Sequence, residues 1–177
     1  MKKYGYELVE SPIEIMKQYP EEYTCVACSI CNTLRLEGIY VDKNDKEIID
    51  TMLRNTEGKT KSDIDIERVQ QGISFTYNIG KNLYYKDKKI VFKNERYNSR
   101  IFNKKRCIAL VHSGILRELM FNRKMDYDLI HAVVIWKIEK DYVYIIDSSP
   151  YIGNGVIKIS LRNFKKCIMK KFYITVE

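Results

Sequence analysis

Residues 131–147 constrain the fold more than any other part of this 177-residue chain. His131–Ile138 and Tyr142–Asp147 are apolar, β-branched runs separated only by Glu139-Lys140-Asp141. So short a polar break leaves room for a tight turn, and the pair reads as an antiparallel hairpin. A hairpin sets the start of its first strand beside the end of its second, and here those ends carry His131 and Asp147. Cys107–His112 is a continuous apolar strand of the kind covered on both faces. Val156–Ser160 and Phe172–Val176 add two more strands, with a helical turn at Leu161–Lys166 between them. Ile73–Tyr77 is a further strand, and Asn82–Tyr85 with Lys89–Phe92 forms a hairpin about Asp87-Lys88. Residues 113–129 read as a connection, helical in part.

Upstream the period changes. In residues 25–36, Ala27, Ile30, Cys31 and Leu34 recur at i, i+3, i+4 and i+7, which is one buried stripe of a helix. Thr24 is its expected N-cap and Gly38 its stop. A second helix covers about 45–54, Thr56–Thr60 is a loop, and Ser62–Gly72 is a third helix with Asp65 completing a capping box. Residues 1–22 are irregular or hold a short helix at Ile13–Gln18. Helices first and antiparallel strands later describe an α+β fold, with N-terminal helices packed on a C-terminal antiparallel sheet.

The length suits one domain spanning 1–177. No run approaches the roughly 18 apolar residues of a membrane span, and the N-terminus has no signal-peptide core. Five cysteines, three of them within seven residues, fit a reducing, cytoplasmic setting better than a disulfide framework. The net charge of +8 is concentrated: residues 81–106 hold ten Lys/Arg against Asp87 and Glu95. This basic insertion, at about 80–106, reads first as a solvated hairpin. It also suits an acidic peptide or protein partner. Tyr84, Tyr85, Phe92, Tyr97 and Phe102 interleave with its cations, which leaves nucleic-acid binding as a weaker alternative.

Chemistry centres on Cys25. At a helix N-terminus, free N–H groups and the helix dipole favour a thiolate. Cys31 lies on the apolar stripe and reads as core; Cys28 reads as structural. A metal shared by the Cys-x-x-Cys-x-x-Cys run is disfavoured, because on a helix the first and third side chains point about 120° apart. His131 supplies an imidazole, and Asp147 beside it would fix its tautomer and steady the imidazolium. Gln18, the glutamine upstream of Cys25, can donate its side-chain amide to an oxyanion. His112, inside an apolar strand, reads as structural. Cys25, His131, Asp147 and Gln18 thus suit nucleophilic acyl transfer, with no metal or organic cofactor required.

The ordered set of residues resembles the papain-like cysteine peptidases that remove double-glycine leader peptides from bacteriocins. Cys25 is followed by Leu34, Arg35 and Gly38 at the family's offsets. The short helix Ile48–Arg54, the loop Thr56–Thr60 and the helix Ile64–Gly72 come next. His131 opens one strand, Asp147 ends the next, and a Ser-x-x-Phe helix follows at Ser160–Phe164. Thr24, Val26 and Ser148 stand where the family has Asp, Gly and Pro, and Gln18 lies seven rather than six residues before the cysteine. The resemblance implies a papain-like fold, a Cys25–His131–Asp147 triad with Gln18 at the oxyanion, and cleavage of a peptide bond after two small residues. A degenerate peptide-binding relative is the alternative within the same fold.

Overall fold

The computed structural model describes residues 5–20, 24–54, 82–96, 106–126 and 128–177. The expected loop at 56–60, helix at 62–72 and strand at 73–77 lie outside them, as do Tyr97 and Phe102. The described strands are β1 (Tyr6–Val9), β2 (Asn82–Tyr85), β3 (Lys88–Asn94), β4 (Cys107–His112), β5 (Ile130–Glu139), β6 (Tyr142–Asp147), β7 (Val156–Ser160) and β8 (Ile168–Val176). They form one sheet in the order β1-β7-β6-β5-β4-β8-β3-β2, antiparallel at every junction. The described helices are α1 (Cys25–Leu36), α2 (Lys43–Arg54), α3 (Ser113–Phe121) and α4 (Leu161–Cys167). The architecture is α+β, as expected.

The sheet is covered on both faces, which explains the unbroken apolar runs of β4 and β5. Successive side chains in a strand alternate between faces. Ile108, Leu110, Ala132 and Val134 join the core that contains α1. Cys107, Ala109, Val111, Val133 and Ile135 join a second core with Leu116 and Met120 of α3 and Phe164 of α4. The expected stripe of α1, Ala27, Ile30, Cys31 and Leu34, is fully buried. Burying a side chain such as Ile30 or Leu34 stabilises by about 1.5–3 kcal/mol each. Gly38 ends α1 in the left-handed region, at φ 78°. Its N–H donates to Arg35 O and that of Ile39 to Leu34 O, both at 3.0 Å, a Schellman arrangement that a side chain with a Cβ would strain.

Several boundaries differ from expectation. Thr24 occupies the N-cap position but its side chain makes no cap hydrogen bond to the helix; its hydroxyl faces Cys28 Sγ at 3.8 Å. Residues 13–18 take the irregular one of the two forms expected, with the backbone of Met16 held by Asn32 and that of Glu14 by Arg35, both on α1. The first hairpin turns at Lys86-Asp87, one residue earlier than expected, with φ values of 47° and 60°. Paired left-handed residues suit the twist of a two-residue hairpin. Of the basic stretch, residues 82–94 form the hairpin of β2 and β3, with β2 at the edge of the sheet and β3 paired to β8. Lys86 pairs with Asp45 at 2.9 Å and Lys88 with Glu37 at 2.7 Å, so part of that charge is answered by acids flanking α1 and α2. The connection after β4 is mostly α3, whose Leu116 and Met120 are buried four residues apart.

Candidate active site

Each element brings one group. α1 begins at Cys25, so the first N–H groups of the helix have no intrahelical acceptor and point toward the thiol end. Asn32, buried on the same helix, accepts from Met16 N–H at 2.7 Å and donates to Met16 O at 3.1 Å. That clamp holds the segment carrying Lys17 and Gln18 against α1. Gln18 N–H then donates to Ser148 O at 2.9 Å, which places Gln18 beside the turn that follows Asp147. Ser29 donates to Ala132 O at 3.2 Å, tying the helix of Cys25 to the strand of His131.

The meeting of His131 and Asp147 depends on a register shift. From their turn, β5 and β6 pair Glu139 with Tyr142, Ile138 with Val143 and Lys137 with Tyr144. Then the register slips, and Ile135 faces Ile145 and Val133 faces Asp147. Trp136 is the extra residue, a β-bulge. Without it Asp147 would oppose Val134, and His131 would emerge on the other face. With it Asp147 opposes Val133, whose face His131 shares, and the two are diagonal neighbours. Trp136 is held edge-on to Tyr144, with ring centroids 6.1 Å apart.

His131 Nε2 lies 2.8 Å from Asp147 Oδ1. That leaves the other ring nitrogen for Cys25, close enough for each group to shift the other's protonation. Asp147 is 1% exposed, His131 9% and Cys25 8%, so this chain of groups is almost dry. Asp147 Oδ1 also accepts from Ser149 N–H at 2.8 Å, and Oδ2 accepts from Arg117 at 2.7 Å. Lys17 Nζ donates to Asp147 O at 2.7 Å and to Ile152 O and Gly153 O at 3.2 Å, closing the turn behind the carboxylate.

Charge follows from this geometry. Burial alone would raise the Cys25 thiol, but the hydrogen bond and charge of His131 and a hydrogen bond from Ala132 bring it below the ordinary value. Burial works against the His131 imidazolium, yet Asp147 and the Cys25 thiolate outweigh it and hold it up to about 10. Burial would raise Asp147 as well; Arg117, His131 and the Ser149 N–H keep it well below the usual carboxylate range. Cys31 and Cys167 go the opposite way, pushed by burial to about 12. All five cysteines are free thiols.

The structure therefore brings Cys25, His131 and Asp147 together and ties the Gln18 backbone to the turn after Asp147. His112 stands apart, paired with Asp128 at 2.8 Å. Among the described residues no cluster of His, Cys, Asp and Glu has the geometry of a metal site, and no helix is long and apolar enough to cross a membrane. Arg117, Lys17 and Asn32 were not singled out from sequence. A cation at position 117 amid the apolar Ile115, Leu116, Leu119 and Met120 was the one visible signal.

No protein-family model matches the chain, and no curated protein is similar to it in sequence. Among solved structures, it is similar to a double glycine motif protease from an AMS/PCAT transporter, in complex with the leader peptide. The TM-score is 0.46 and the identity 17%, over 94% of this chain and 95% of that one.

Proposed function

We propose that this protein is a cysteine peptidase that cleaves a peptide or isopeptide bond through a thioester acyl-enzyme. The observation that carries the reading is the buried line Cys25–His131–Asp147, in which the imidazole is bound through Nε2 and free to serve the thiol through its other nitrogen. Cys25 attacks the carbonyl carbon as a thiolate. The Cys25 N–H, at the open end of α1, and the Gln18 side-chain amide receive the oxyanion. The oxyanion would accept from Gln18 Nε2; Gln18 Oε1, buried without a hydrogen-bond partner among the described residues, is an acceptor and would take an N–H of the bound peptide instead. The tetrahedral adduct collapses, the C–N bond breaks, and His131 passes its proton to the departing amine. Water, deprotonated by His131, then cleaves the thioester. An amine in place of water would give transpeptidation from the same groups. The steps call on this chain's own side chains and on no cofactor.

The test is site-resolved alkylation by iodoacetamide between pH 5 and 11, with His131→Ala alongside. Cys25 is expected to react fast below pH 7 and to keep its ion pair until His131 loses its proton near 10. The variant is expected to lose the reaction below pH 7 and to titrate no lower than a free thiol of about 8.5. Identical profiles for the two proteins would refute the reading.

The partner this surface suits is an acidic peptide segment. Lys165, Lys166, Lys170 and Lys171 surround a groove of about 720 Å³ floored by Met169 and Phe172. The groove opens where Leu110 of β4 stands opposite Met169–Phe172 of β8, a break that pushes those residues outward. Ile168 at its edge faces Val111, and Val111 faces His131, so this edge of the groove lies two strand spacings, roughly 10 Å, from the His131 backbone. An extended peptide covers that distance in about three residues. Reversing Lys170 and Lys171 to Glu is expected to raise KM for an acidic peptide by about tenfold, the yield of two exposed charge contacts. An unchanged KM would dismiss the groove, and competition by single-stranded DNA but not by acidic peptide would reassign it to nucleic acid.

A further inference from the structure

We infer that Arg117 of α3 is a positioning residue of the proposed peptidase site: it holds Asp147 by the oxygen that His131 does not use, and through it sets the thiolate–imidazolium pair. The inference rests on the peptidase reading above. Arg117 is 7% exposed, and its side chain runs under the sheet on the face of α3 and α4. One guanidinium nitrogen donates to Asp147 Oδ2 at 2.7 Å, and another meets Met120 sulfur at 3.4 Å. Asp147 is left with three donors on two oxygens: His131 Nε2 and Ser149 N–H on one, Arg117 on the other. With both oxygens held, the carboxylate cannot rotate, and its lone pair stays aimed at the imidazole.

Arg117 also sets how readily Asp147 takes up a proton as the pH falls. The charged groups facing Asp147 are Arg117 from α3, His131 from β5, Cys25 from α1 and Lys17 from the N-terminal segment, the last reaching the backbone carbonyl of Asp147 rather than its carboxylate. A buried carboxylate with a single imidazolium partner would take up a proton at mild acidity. His131 would then lose its counter-charge, and the pair would revert to thiol and imidazole. A permanent cation on the second oxygen postpones that event, because an opposite charge within about 4–6 Å lowers a carboxyl pKa by roughly 1–3 units. Arginine suits the task because it cannot be neutralised itself.

The experiment compares the full-length protein with Arg117→Gln and Arg117→Lys by the pH profile of Cys25 alkylation. Glutamine keeps a hydrogen-bond donor near Oδ2 and removes the charge; lysine restores a charge. Arg117→Gln is expected to move the acid limb upward by about one unit, so that Cys25 alkylation falls by up to about tenfold at pH values below the native midpoint, with little change at pH 8. Arg117→Lys is expected to return the limb toward the native position. A Gln profile superimposed on the native one would overturn the inference, as would an equal shift in both variants. Rapid alkylation of the buried Cys28 and Cys31 in Arg117→Gln would also overturn it, since the arginine would then hold the fold rather than the site. A native protein whose Cys25 shows no low-pH reactivity is a different result, and it would sink the peptidase reading itself.

Discussion

Cys25→Ala is expected to abolish peptide cleavage while leaving the protein folded. The proposed nucleophile has no substitute among its neighbours: Cys28 and Cys31 are fully buried, and Cys31 is held protonated up to about 12. Loss of a nucleophile that works as one unit with its base costs on the order of 10⁴-fold or more in kcat. The side chain itself contributes little packing beyond a methyl-sized contact, so the urea midpoint is expected to stay close to native. Cys31→Ala makes the opposite pattern the control. It empties part of the α1 core and is expected to lower the midpoint while kcat stays within a fewfold. Both are read by steady-state cleavage of a peptide with a small residue pair at the scissile bond and by urea unfolding. Residual cleavage by Cys25→Ala above one-hundredth of the native rate would show that another group does the chemistry.

Asp147→Ala is expected to damage stability and activity together, and this is the larger structural effect. The substitution strands Arg117, 7% exposed, and His131, 9% exposed, in a dry site. Removing one partner of a buried ion pair costs about 3–5 kcal/mol, because the remaining charge stays desolvated. Asp147→Asn is expected to be milder in stability: its carbonyl can still accept from His131 Nε2 and the Ser149 N–H, but the charge is gone. Its activity is expected to fall because the amide keeps the tautomer but no longer carries the charge that steadies the imidazolium, so less of Cys25 is thiolate at neutral pH. The pH dependence has a definite sign. His131 rises from 6.5 to about 10 on folding, so its stabilising contribution is complete below 6.5 and is lost as pH climbs through 10. Asp147 moves below its ordinary 3.8, so its contribution is present above that value and is lost only as pH falls through the lower folded one. The stability gap between native protein and Asp147→Asn, measured by urea midpoints, is therefore expected to be widest near pH 5–6 and to narrow toward pH 10. A gap independent of pH would show that the pair is not ionised as described.

Much of this site was legible before any fold was known. A cysteine at a helix start, a histidine opening one strand and an aspartate closing the next are local patterns, and each survives in the structure because local propensity and tertiary placement agree. The α1 stripe and its glycine stop were readable for the same reason. Other features had no local signature. β1 is a four-residue edge strand with little alternation, specified by its partner β7. Residues 13–18 could be irregular or a short helix by sequence, and the choice is made by Asn32 on α1, which takes both backbone groups of Met16. Arg117 sits in a segment read as a connection, and its partner is 30 residues away.

The sequence by itself determined which groups are present and in what order: a thiol at the dipole end of a helix, then an imidazole and a carboxylate at adjoining ends of one hairpin. It could not determine that the last two share a face. Both faces of β5 are apolar and buried, so its hydrophobic pattern fits either register equally well, and a slip of one residue would exchange the faces. The tertiary structure decides by accommodating Trp136 as a bulge, packed on Tyr144 and flanked by Lys137, while β4 and the two cores hold the rest of the strand in place. One extra residue in one strand is what turns His131 toward Asp147.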